Sequence, residues 1–379
     1  MKVIVFANVQ WPRFGIDAGG SLHAFEVARL LAKDHDVTVV VPSFVAAAVQ
    51  GRYPDLQLRV LRVPLAILGS TIAVQLWSAF DWLAMLSEVR AADAVYAASH
   101  FLGDVLPLVS RNGKSSVVVI HHLVEPPQRR AGSFAINALH YLAERIGVRI
   151  VATYATSVLT SSELVAQQLR SEGLSGPIRV TVNAPRDLDA VGAAPTPAVA
   201  RGSVLYLGRL SPTKGVDTLL RAWRRVIARD PAASLTVVGG GAPFYLARLE
   251  RLRLELGLVD SVRFLGRVDD VEKDRLLRSH RVFAFPSREE GFGIVLVEAM
   301  RAAMPCVTFD LPIFRELFPR GRIGVPLNDD AAFADALLAL LTDDSLRAKT
   351  SAQALAMASC YTWPRAADIA QEALGLQPI

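Results

Sequence analysis

A chain of 379 residues is long enough for two domains, each with a substantial core. Hydrophobic residues make up 52% and charged residues 20%, which excludes a disordered protein, and the net charge of +5 is not gathered in a basic tail, which argues against a nucleic-acid partner. Mean hydropathy is +0.32, yet we find neither an apolar run long enough to cross a bilayer nor a signal peptide, so a cytoplasmic protein is expected.

Short apolar runs alternate with helical segments from the start of the chain. A helix is predicted over Leu22–Lys33, where apolar residues recur at helical spacing. Strands are predicted at Lys2–Ala7, His35–Val41, Leu58–Val63, Ala94–Ala97 and Ser116–Ile120. Short apolar strands separated by helices are typical of parallel sheets with helices on both faces, so we expect an α/β domain over residues 1–183.

The composition changes at residues 184–202, which are rich in Pro, Ala and Gly and have no clear period. We interpret this stretch as a linker between two domains. A second alternating series occupies residues 203–360, and one more helix is predicted in the tail at Trp363–Leu374. The strands of the second series are predicted at Ser203–Leu207, Ser234–Val238, Ser261–Leu265, Val282–Phe285 and Val307–Phe309, and its helices at Val216–Arg229 and Ile294–Ala303.

The first of two phosphate-handling motifs follows the strand Ser203–Leu207. Gly208 lets the backbone approach a ligand closely, and Arg209 and Lys214 bring two cations to the carboxyl end of a parallel strand, where open α/β sheets bind ligands. A departing pyrophosphate needs positive charge, which a guanidinium and an ammonium can both supply. Taken alone, this segment fits a solvated turn with ordinary surface cations as well as it fits a phosphate-binding loop.

The second motif is the loop that leads into the predicted helix Ile294–Ala303. Two glycines around Phe292 give a loop whose backbone N–H groups point to the helix N-terminus, a geometry that binds anions. Glu290 precedes the helix and can reach a sugar, whereas Glu298 lies about one turn inside and can accept hydrogen bonds from ribose hydroxyls. The alternative is that Glu290 caps the helix and Glu298 is solvated, but the apolar run around Glu298 disfavours it.

These motifs resemble those of the retaining glycosyltransferase family 4, or glycosyl transferases group 1, whose members have the two-domain GT-B fold. The resemblance rests on Gly208-Arg209-Leu210…Lys214-Gly215, on Gly239-Gly240-Gly241 and on Glu290-Gly291-Phe292-Gly293…Glu298-Ala299-Met300. The first half matches more loosely, through Gly19-Gly20-Ser21…Glu26-Val27-Ala28, and the tail Tyr361-Thr362-Trp363 resembles the family's last helix, which crosses back onto the N-terminal domain. The chain departs from positions where the family often has glycine at Ala184, Ala303 and Ile313.

The resemblance implies two Rossmann-like domains whose parallel sheets face a central cleft. Residues 1–183 with 361–379 would bind the acceptor, and residues 203–360 the nucleotide sugar. It further implies that Arg209 and Lys214 hold the donor diphosphate, that Glu298 binds the ribose, and that Glu290 holds the transferred sugar. Other implied donor contacts are Gly20, Gly208, Gly239, Gly240, Gly291, Phe292, Gly293 and Ile294. The family needs no metal, in agreement with the lack of Asp, His or Cys clusters at ligand spacing in the sequence.

Candidate acceptor residues follow the strand ends of the first half. His121 directly follows the strand Ser116–Ile120, and in the family a histidine after this strand lies near the transferred sugar; a structural histidine is the alternative. Ser99, His100, His122 and Arg129 are further candidates for acceptor contact, although loop or solvated roles also fit them.

The segment Leu65–Leu86 is rich in aliphatic and aromatic side chains and carries one charge, Asp81, before Leu86. A helix packed in the core is the favoured interpretation. A surface that touches a lipid acceptor or a membrane is the alternative.

The combined prediction is a retaining transferase that moves mannose or glucose from a GDP- or UDP-sugar to a saccharide or lipid-linked acceptor, with neither metal nor cofactor. His121, Arg209, Lys214 and Glu290 are its predicted catalytic residues. Peripheral membrane contact is left open. Two alternatives remain, which are a nucleotide-sugar epimerase of the same architecture and a catalytically silent nucleotide-sugar-binding subunit.

Overall fold

A computed structural model describes residues 1–7, 19–64, 73, 74, 77, 80, 82–111, 113–123, 134–186 and 202–377. The chain divides into two compact units, one made of Met1–Asn183 with Thr362–Ile379 and the other of Ala184–Tyr361. Arg129, most of the segment Leu65–Leu86 and most of the predicted linker lie outside the described residues.

The N-terminal unit is built on a seven-stranded parallel sheet with the order β3-β2-β1-β4-β5-β6-β7. Its strands are β1 (Lys2–Phe6), β2 (Asp36–Pro42), β3 (Gln57–Leu61), β4 (Ala94–Ala97), β5 (Ser116–Ile120), β6 (Ser157–Thr160) and β7 (Ile178–Val180). Its α-helices are Gly19–Leu31, Ser43–Arg52, Leu86–Ala91, Leu102–Val105, Phe134–Tyr154, Glu163–Ser171 and Trp363–Leu374, with 3₁₀ turns at Trp82–Met85 and Leu106–Ser110. The central strands are buried on both faces, which explains their continuous apolar runs.

The last helix of the chain, Trp363–Leu374, packs against Gly19–Leu31 in this unit. Its first residue, Trp363, is buried, and its C-terminal carbonyl at Leu374 accepts a hydrogen bond from the Ser115 hydroxyl at 2.7 Å. Burial of one large side chain stabilises a fold by about 2 kcal/mol, so this helix is firmly held on the N-terminal unit.

The second unit contains a six-stranded parallel sheet with the order β10-β9-β8-β11-β12-β13. The strands are β8 (Ser203–Leu207), β9 (Ser234–Val238), β10 (Val262–Gly266), β11 (Val282–Phe285), β12 (Cys306–Phe309) and β13 (Arg322–Val325). The α-helices are Val216–Arg229, Pro243–Glu255, Asp270–Ser279, Ile294–Arg301, Pro312–Leu317, Asp330–Thr342 and Asp344–Ala358. A 3₁₀ turn at Pro212–Lys214 precedes the first of them.

In each sheet the strand order reverses once, between β1 and β4 in the N-terminal unit and between β8 and β11 in the second unit. At such a point the two connections leave in opposite directions, and a crevice forms beyond the carboxyl ends of the two strands. The two phosphate-handling motifs predicted above follow β8 and β11, so they lie at the reversal point of the second sheet.

Every strand predicted from the apolar runs is present, with ends that differ by at most two residues. The prediction missed β6, β7 and β13. Cys306, the first residue of β12, is buried.

The prediction of a core helix over Leu65–Leu86 is only partly correct. In the described part of this segment, Trp82 and Met85 are buried, whereas Trp77, Phe80 and Leu83 are exposed. Met85 ends a 3₁₀ turn, and an α-helix starts at Leu86.

Ala303 adopts a left-handed backbone with a φ of 55°. Such a conformation is easiest for glycine, which gives a physical reason for the glycine that the family often has there.

Candidate functional site

Two loops meet at the reversal point of the second sheet. The loop after β8 begins at Gly208 and ends at Gly215, and the loop after β11 runs from Pro286 to Gly293. The backbone N–H of Arg288 in the second loop donates to the carbonyl of Thr213 in the first at 2.7 Å. The sequence motifs are 70 to 80 residues apart, yet the fold places them in direct contact.

Gly215 allows the first loop to turn directly into the helix Val216–Arg229. Its φ of 67° lies in the left-handed region, and an added Cβ would stand 2.0 Å from the carbonyl oxygen of Pro286. Any other residue would therefore strain the backbone and push the second loop away. The glycine of the motif serves the contact between the two loops.

Lys214 and Glu290 form an ion pair across the two loops. Lys214 Nζ lies 2.5 Å from Glu290 Oε1, and 3.3 Å from the carbonyl oxygen of Glu289. Their side chains are 16% and 11% exposed, so water screens this pair less than a surface pair. A cation and a carboxylate thus stand side by side where the motif predicts contacts with a diphosphate and a sugar.

The second loop leads into the N-terminus of the helix Ile294–Arg301. Gly293 is the N-cap residue, with a left-handed φ of 95°, and it has no side chain to cap the helix. Phe292 is buried, edge-on against Phe318 and Tyr361, and so anchors the loop. The positive end of the helix dipole is therefore presented beside Glu290 and Lys214, and it can bind an anion.

Glu298 lies inside this helix and is buried, as the apolar run around it predicts. Its Oε1 atom accepts a hydrogen bond from Lys273 Nζ at 2.8 Å, and Lys273 also pairs with Asp270 at 3.2 Å. Burial alone would lower the pKa of Lys273, but the carboxylates of Glu298 and Asp270 outweigh it and raise that pKa. Both glutamates of the motif are thus paired with a lysine.

The orientation of Lys273 depends on where its helix begins. Asp269 caps the helix Asp270–Ser279, and its carboxylate accepts the backbone N–H of Glu272 at 2.8 Å. Lys273 follows in the first turn, where it reaches Glu298.

Arg209 is exposed in the first loop, and its carbonyl accepts a hydrogen bond from the Tyr206 hydroxyl at 3.0 Å. Burial, reinforced by the charge of Glu290, raises the pKa of Tyr206 well above its ordinary value, so this hydroxyl stays neutral. Gly208 approaches Gly239 so closely that a Cβ on Gly239 would stand 1.8 Å from the Gly208 carbonyl oxygen. The three-glycine turn therefore packs directly against the first loop.

A further cation, Arg267, lies over this glycine turn. A Cβ on Gly240 would stand 2.7 Å from the Arg267 Nε atom. Arg267 is not predicted from the sequence, because a single arginine after a strand has no distinctive pattern.

In the N-terminal unit, Gly20, in the helix after β1, lies beside His121, which follows β5. A Cβ on Gly20 would stand 3.2 Å from His121 Cδ2. His121 also stands edge-on to His23, with 5.6 Å between the ring centroids, and the Nδ1 atom of His23 is 2.8 Å from Asn183 Oδ1. Burial, followed by the neighbouring imidazoles, lowers the pKa of His121 well below its ordinary value, so the ring is neutral near pH 7.

The remaining acceptor candidates of this unit have different surroundings. His100 is buried, and its Nε2 atom lies 2.8 Å from Oε1 of the buried Glu144, while Ser99 donates to Asp104 at 2.5 Å. His122 is exposed after β5. Arg129 lies outside the described residues, and the acceptor role of all four stays a prediction.

Within the described ranges, no group of three or more His, Cys, Asp or Glu side chains is arranged to hold a metal ion. Besides Arg267, three residues of the site are not predicted from the sequence, namely His23, Lys273 and Arg288. Each acts through a partner that is remote in sequence, so no local pattern identifies it.

Comparison with protein families gives a match for the part of the chain that contains this site. Residues 198–357 match the family described as glycosyl transferases group 1. The family resemblance predicted from the motifs is confirmed for this region.

Two relatives match over part of their length. The phosphatidyl-myo-inositol mannosyltransferase of Mycobacterium leprae is 43% identical over 166 residues, which cover 42% of this chain and 43% of the relative. The D-inositol 3-phosphate glycosyltransferase 2 of Catenulispora acidiphila is 31% identical over 243 residues, which cover 58% of this chain and 56% of the relative. The chain thus spans about half the length of these relatives.

Solved structures share the fold over nearly the whole chain. Anabaena HepE in complex with UDP has a TM-score of 0.77 at 19% identity, and the alignment covers 99% of this chain and 100% of that one. Sucrose-phosphate synthase of Thermosynechococcus elongatus has a TM-score of 0.74 at 18% identity, with 98% of both chains covered. The predicted fold class, α/β with two Rossmann-like units of the GT-B type, is confirmed.

Proposed function

We propose that this chain, whose second unit matches the glycosyl transferases of group 1, is a glycosyltransferase that uses a nucleotide sugar. The observation that carries the proposal is the Lys214–Glu290 pair, 2.5 Å long, which joins the two motif loops at the reversal point of the sheet. The uncapped N-terminus of the helix Ile294–Arg301 follows directly. Cation, carboxylate and helix dipole are the three elements that a sugar diphosphate requires.

The geometry of the second unit supports the donor contacts that the family resemblance implies. Lys214 and Arg209 bind the diphosphate, Glu290 accepts hydrogen bonds from the transferred sugar, and Glu298 accepts them from the ribose. The donor carries mannose or glucose on GDP or UDP, and mannose is preferred, because the M. leprae relative that is 43% identical over 166 residues is a mannosyltransferase. No metal takes part in this proposal, since Lys214, Arg209 and the helix N-terminus supply the positive charge.

The reaction proceeds with retention of configuration in this proposal. The acceptor oxygen forms a bond to the anomeric carbon on the face from which the diphosphate leaves, and the bond from that carbon to the diphosphate oxygen breaks. The acceptor proton passes to the leaving diphosphate. Lys214 and the helix N-terminus stabilise the charge that develops on that leaving group.

The N-terminal unit binds the acceptor, which is a saccharide or a lipid-linked sugar or polyol. A lipid acceptor fits the surface of this unit, because the helix Phe134–Tyr154 exposes Leu139, Leu142 and Ile146 at helical spacing and carries an exposed cation at Arg149. Such a surface suits peripheral contact with an anionic membrane. Among the described residues no helix has the length and apolar content needed to span a bilayer.

The test is an assay of the purified chain with GDP-mannose, UDP-glucose and related donors, each with and without saccharide acceptors and anionic vesicles that contain a lipid-linked acceptor. We expect transfer that depends on an acceptor. Lys214→Ala and Glu290→Ala should each lower turnover at least about a hundredfold with little change in the melting temperature, because each removes a group that stabilises the transition state.

Each alternative gives a different result in the same assay. Product without acceptor identifies an epimerase, and donor binding without turnover identifies a silent binding subunit. Turnover like that of the wild type in both variants contradicts the assigned roles. In a vesicle flotation experiment, protein that remains in solution contradicts the proposed membrane contact and leaves the proposed activity unaffected.

A further inference from the structure

Arg288 lies in the second loop of the site, and its guanidinium group is fully occupied by contacts within the protein. Nε donates to Asn328 Oδ1 at 2.6 Å, and the two Nη atoms form a fork on Asp217 at 2.9 and 3.1 Å. Nη1 also donates to the Pro212 carbonyl, and Nη2 to the Thr218 hydroxyl at 2.7 Å. Since arginine has five N–H donors, these contacts use all of them. Arg288 therefore has no donor left for a phosphate.

The partners of Arg288 lie on both sides of Lys214. Pro212 precedes Lys214 in the first loop, while Asp217 and Thr218 follow it in the first turn of the helix Val216–Arg229. Arg288 itself stands two positions before Glu290. The Arg288 guanidinium thus connects the residues on either side of Lys214 to the loop that carries Glu290, the partner of Lys214.

The charges around Asp217 also favour a fixed ion pair between Asp217 and Arg288. Burial alone would raise the pKa of Asp217, but hydrogen bonds and charge from Arg288, helped by Arg221, outweigh it and lower that pKa. Asp217 therefore stays ionised and holds the planar fork of Arg288 in one orientation. A lysine at position 288 would keep the charge but could not make the forked contact.

We propose that Arg288 is a positioning residue that sets Lys214 against Glu290, so that both reach the sugar diphosphate in the geometry of the transition state. This inference rests on the proposed function for its kinetic consequence and on the contacts above for its geometry. A displacement of about 1 Å can lower a rate about a hundredfold. The effect belongs mainly to kcat, because Arg288 does not touch the donor.

The kinetic test is a double-mutant cycle with Arg288→Lys and Glu290→Gln. Arg288→Lys should lower kcat about 10- to 100-fold and change the donor KM less than about threefold. In the Glu290→Gln background it should lower kcat less than about threefold, because the pair that it positions is already lost. The matched control is Arg229→Lys, which alters an exposed Arg–Asp pair on the same helix as Asp217 and should leave kcat unchanged.

A purely structural role gives a different pattern. Equal losses of kcat in both backgrounds, or a lower melting temperature with normal kcat, would overturn the proposal. A crystal structure of the Arg288→Lys variant supplies a test without activity. If Lys214 Nζ and Glu290 Oε1 remain 2.5 Å apart there, the positioning role is wrong. If the wild type transfers no sugar at all, the proposed function fails, and this structural test still decides on Arg288.

Discussion

At the scale of single residues, His23 shows how an unassigned side chain supports the N-terminal site. The ring is fully buried between His121 and Trp363, and its Nδ1 atom pairs with Asn183. Burial lowers the pKa of His23 to about 4, against smaller opposing effects from hydrogen bonds to Asn183 and Val182. The folded chain therefore keeps a neutral imidazole beside His121.

This lowered pKa makes stability depend on pH. Between pH 6.5 and 4 the unfolded chain binds a proton at His23 and the folded chain does not, so the free energy of unfolding falls as the pH is lowered. We expect His23 to lower the free energy of unfolding by about 2 kcal/mol between pH 7 and pH 5. Urea unfolding of the wild type and of His23→Gln at both pH values checks this, and the variant should lose less. The same loss in both proteins would show that His23 does not cause it.

The sequence predicts some residues of the site but not the partners that orient them. Glu298 is buried as its apolar neighbours indicate, and Glu290 stands outside the helix as the glycines around Phe292 indicate. Lys273 and Arg288 were missed, because their partners lie 25 and 71 residues away. Tertiary contacts of this kind have no signature in local spacing.

At the scale of elements, the turn at Gly215 determines how the loop after β8 meets the loop after β11. The turn needs a left-handed residue, and the space beside it is filled by the Pro286 carbonyl. Gly375, after the last helix, has nearly the same φ, 66° against 67°, but no atom within 4 Å of an added Cβ. The two glycines have the same backbone requirement and different surroundings, so they form a matched pair.

We expect Gly375→Ala to destabilise the chain by about 1 kcal/mol, the cost of a left-handed alanine. Gly215→Ala should cost clearly more, because Pro286 and the loop behind it must also move, and it should weaken nucleotide binding at least about tenfold. Thermal unfolding and nucleotide titration of both variants measure the two effects. If the two variants lose the same stability and the same nucleotide affinity, the contact with Pro286 has no role.

Most strands that are continuous apolar runs could be predicted from the sequence, whereas strands that are only partly buried could not. The strands around each reversal point are continuous buried runs, which is why β1, β4, β8 and β11 were found. β7 and β13 are short and only partly buried, so they have little apolar pattern to detect. In Leu65–Leu86 the apolar composition predicts burial, yet the described Trp77, Phe80 and Leu83 are exposed.

At the scale of the whole molecule, the chain contains two units of the same construction, each a parallel sheet with one reversal of strand order. At Thr362 the chain returns to the first unit, and the helix after it belongs to that unit. The alternation of strands and helices made the doubling predictable. The match to the glycosyl transferases of group 1 covers residues 198–357, which contain both loops of the proposed donor site.

Everything proposed for the second unit depends on a diphosphate bound beside Lys214. Calorimetric titration of GDP and UDP into the wild type and into Lys214→Ala measures this contact. We predict that one of the two nucleotides binds the wild type and that the variant binds it at least about tenfold more weakly, as expected for the loss of one charge-assisted hydrogen bond. Unchanged affinity in a folded Lys214→Ala protein would contradict the proposed donor site.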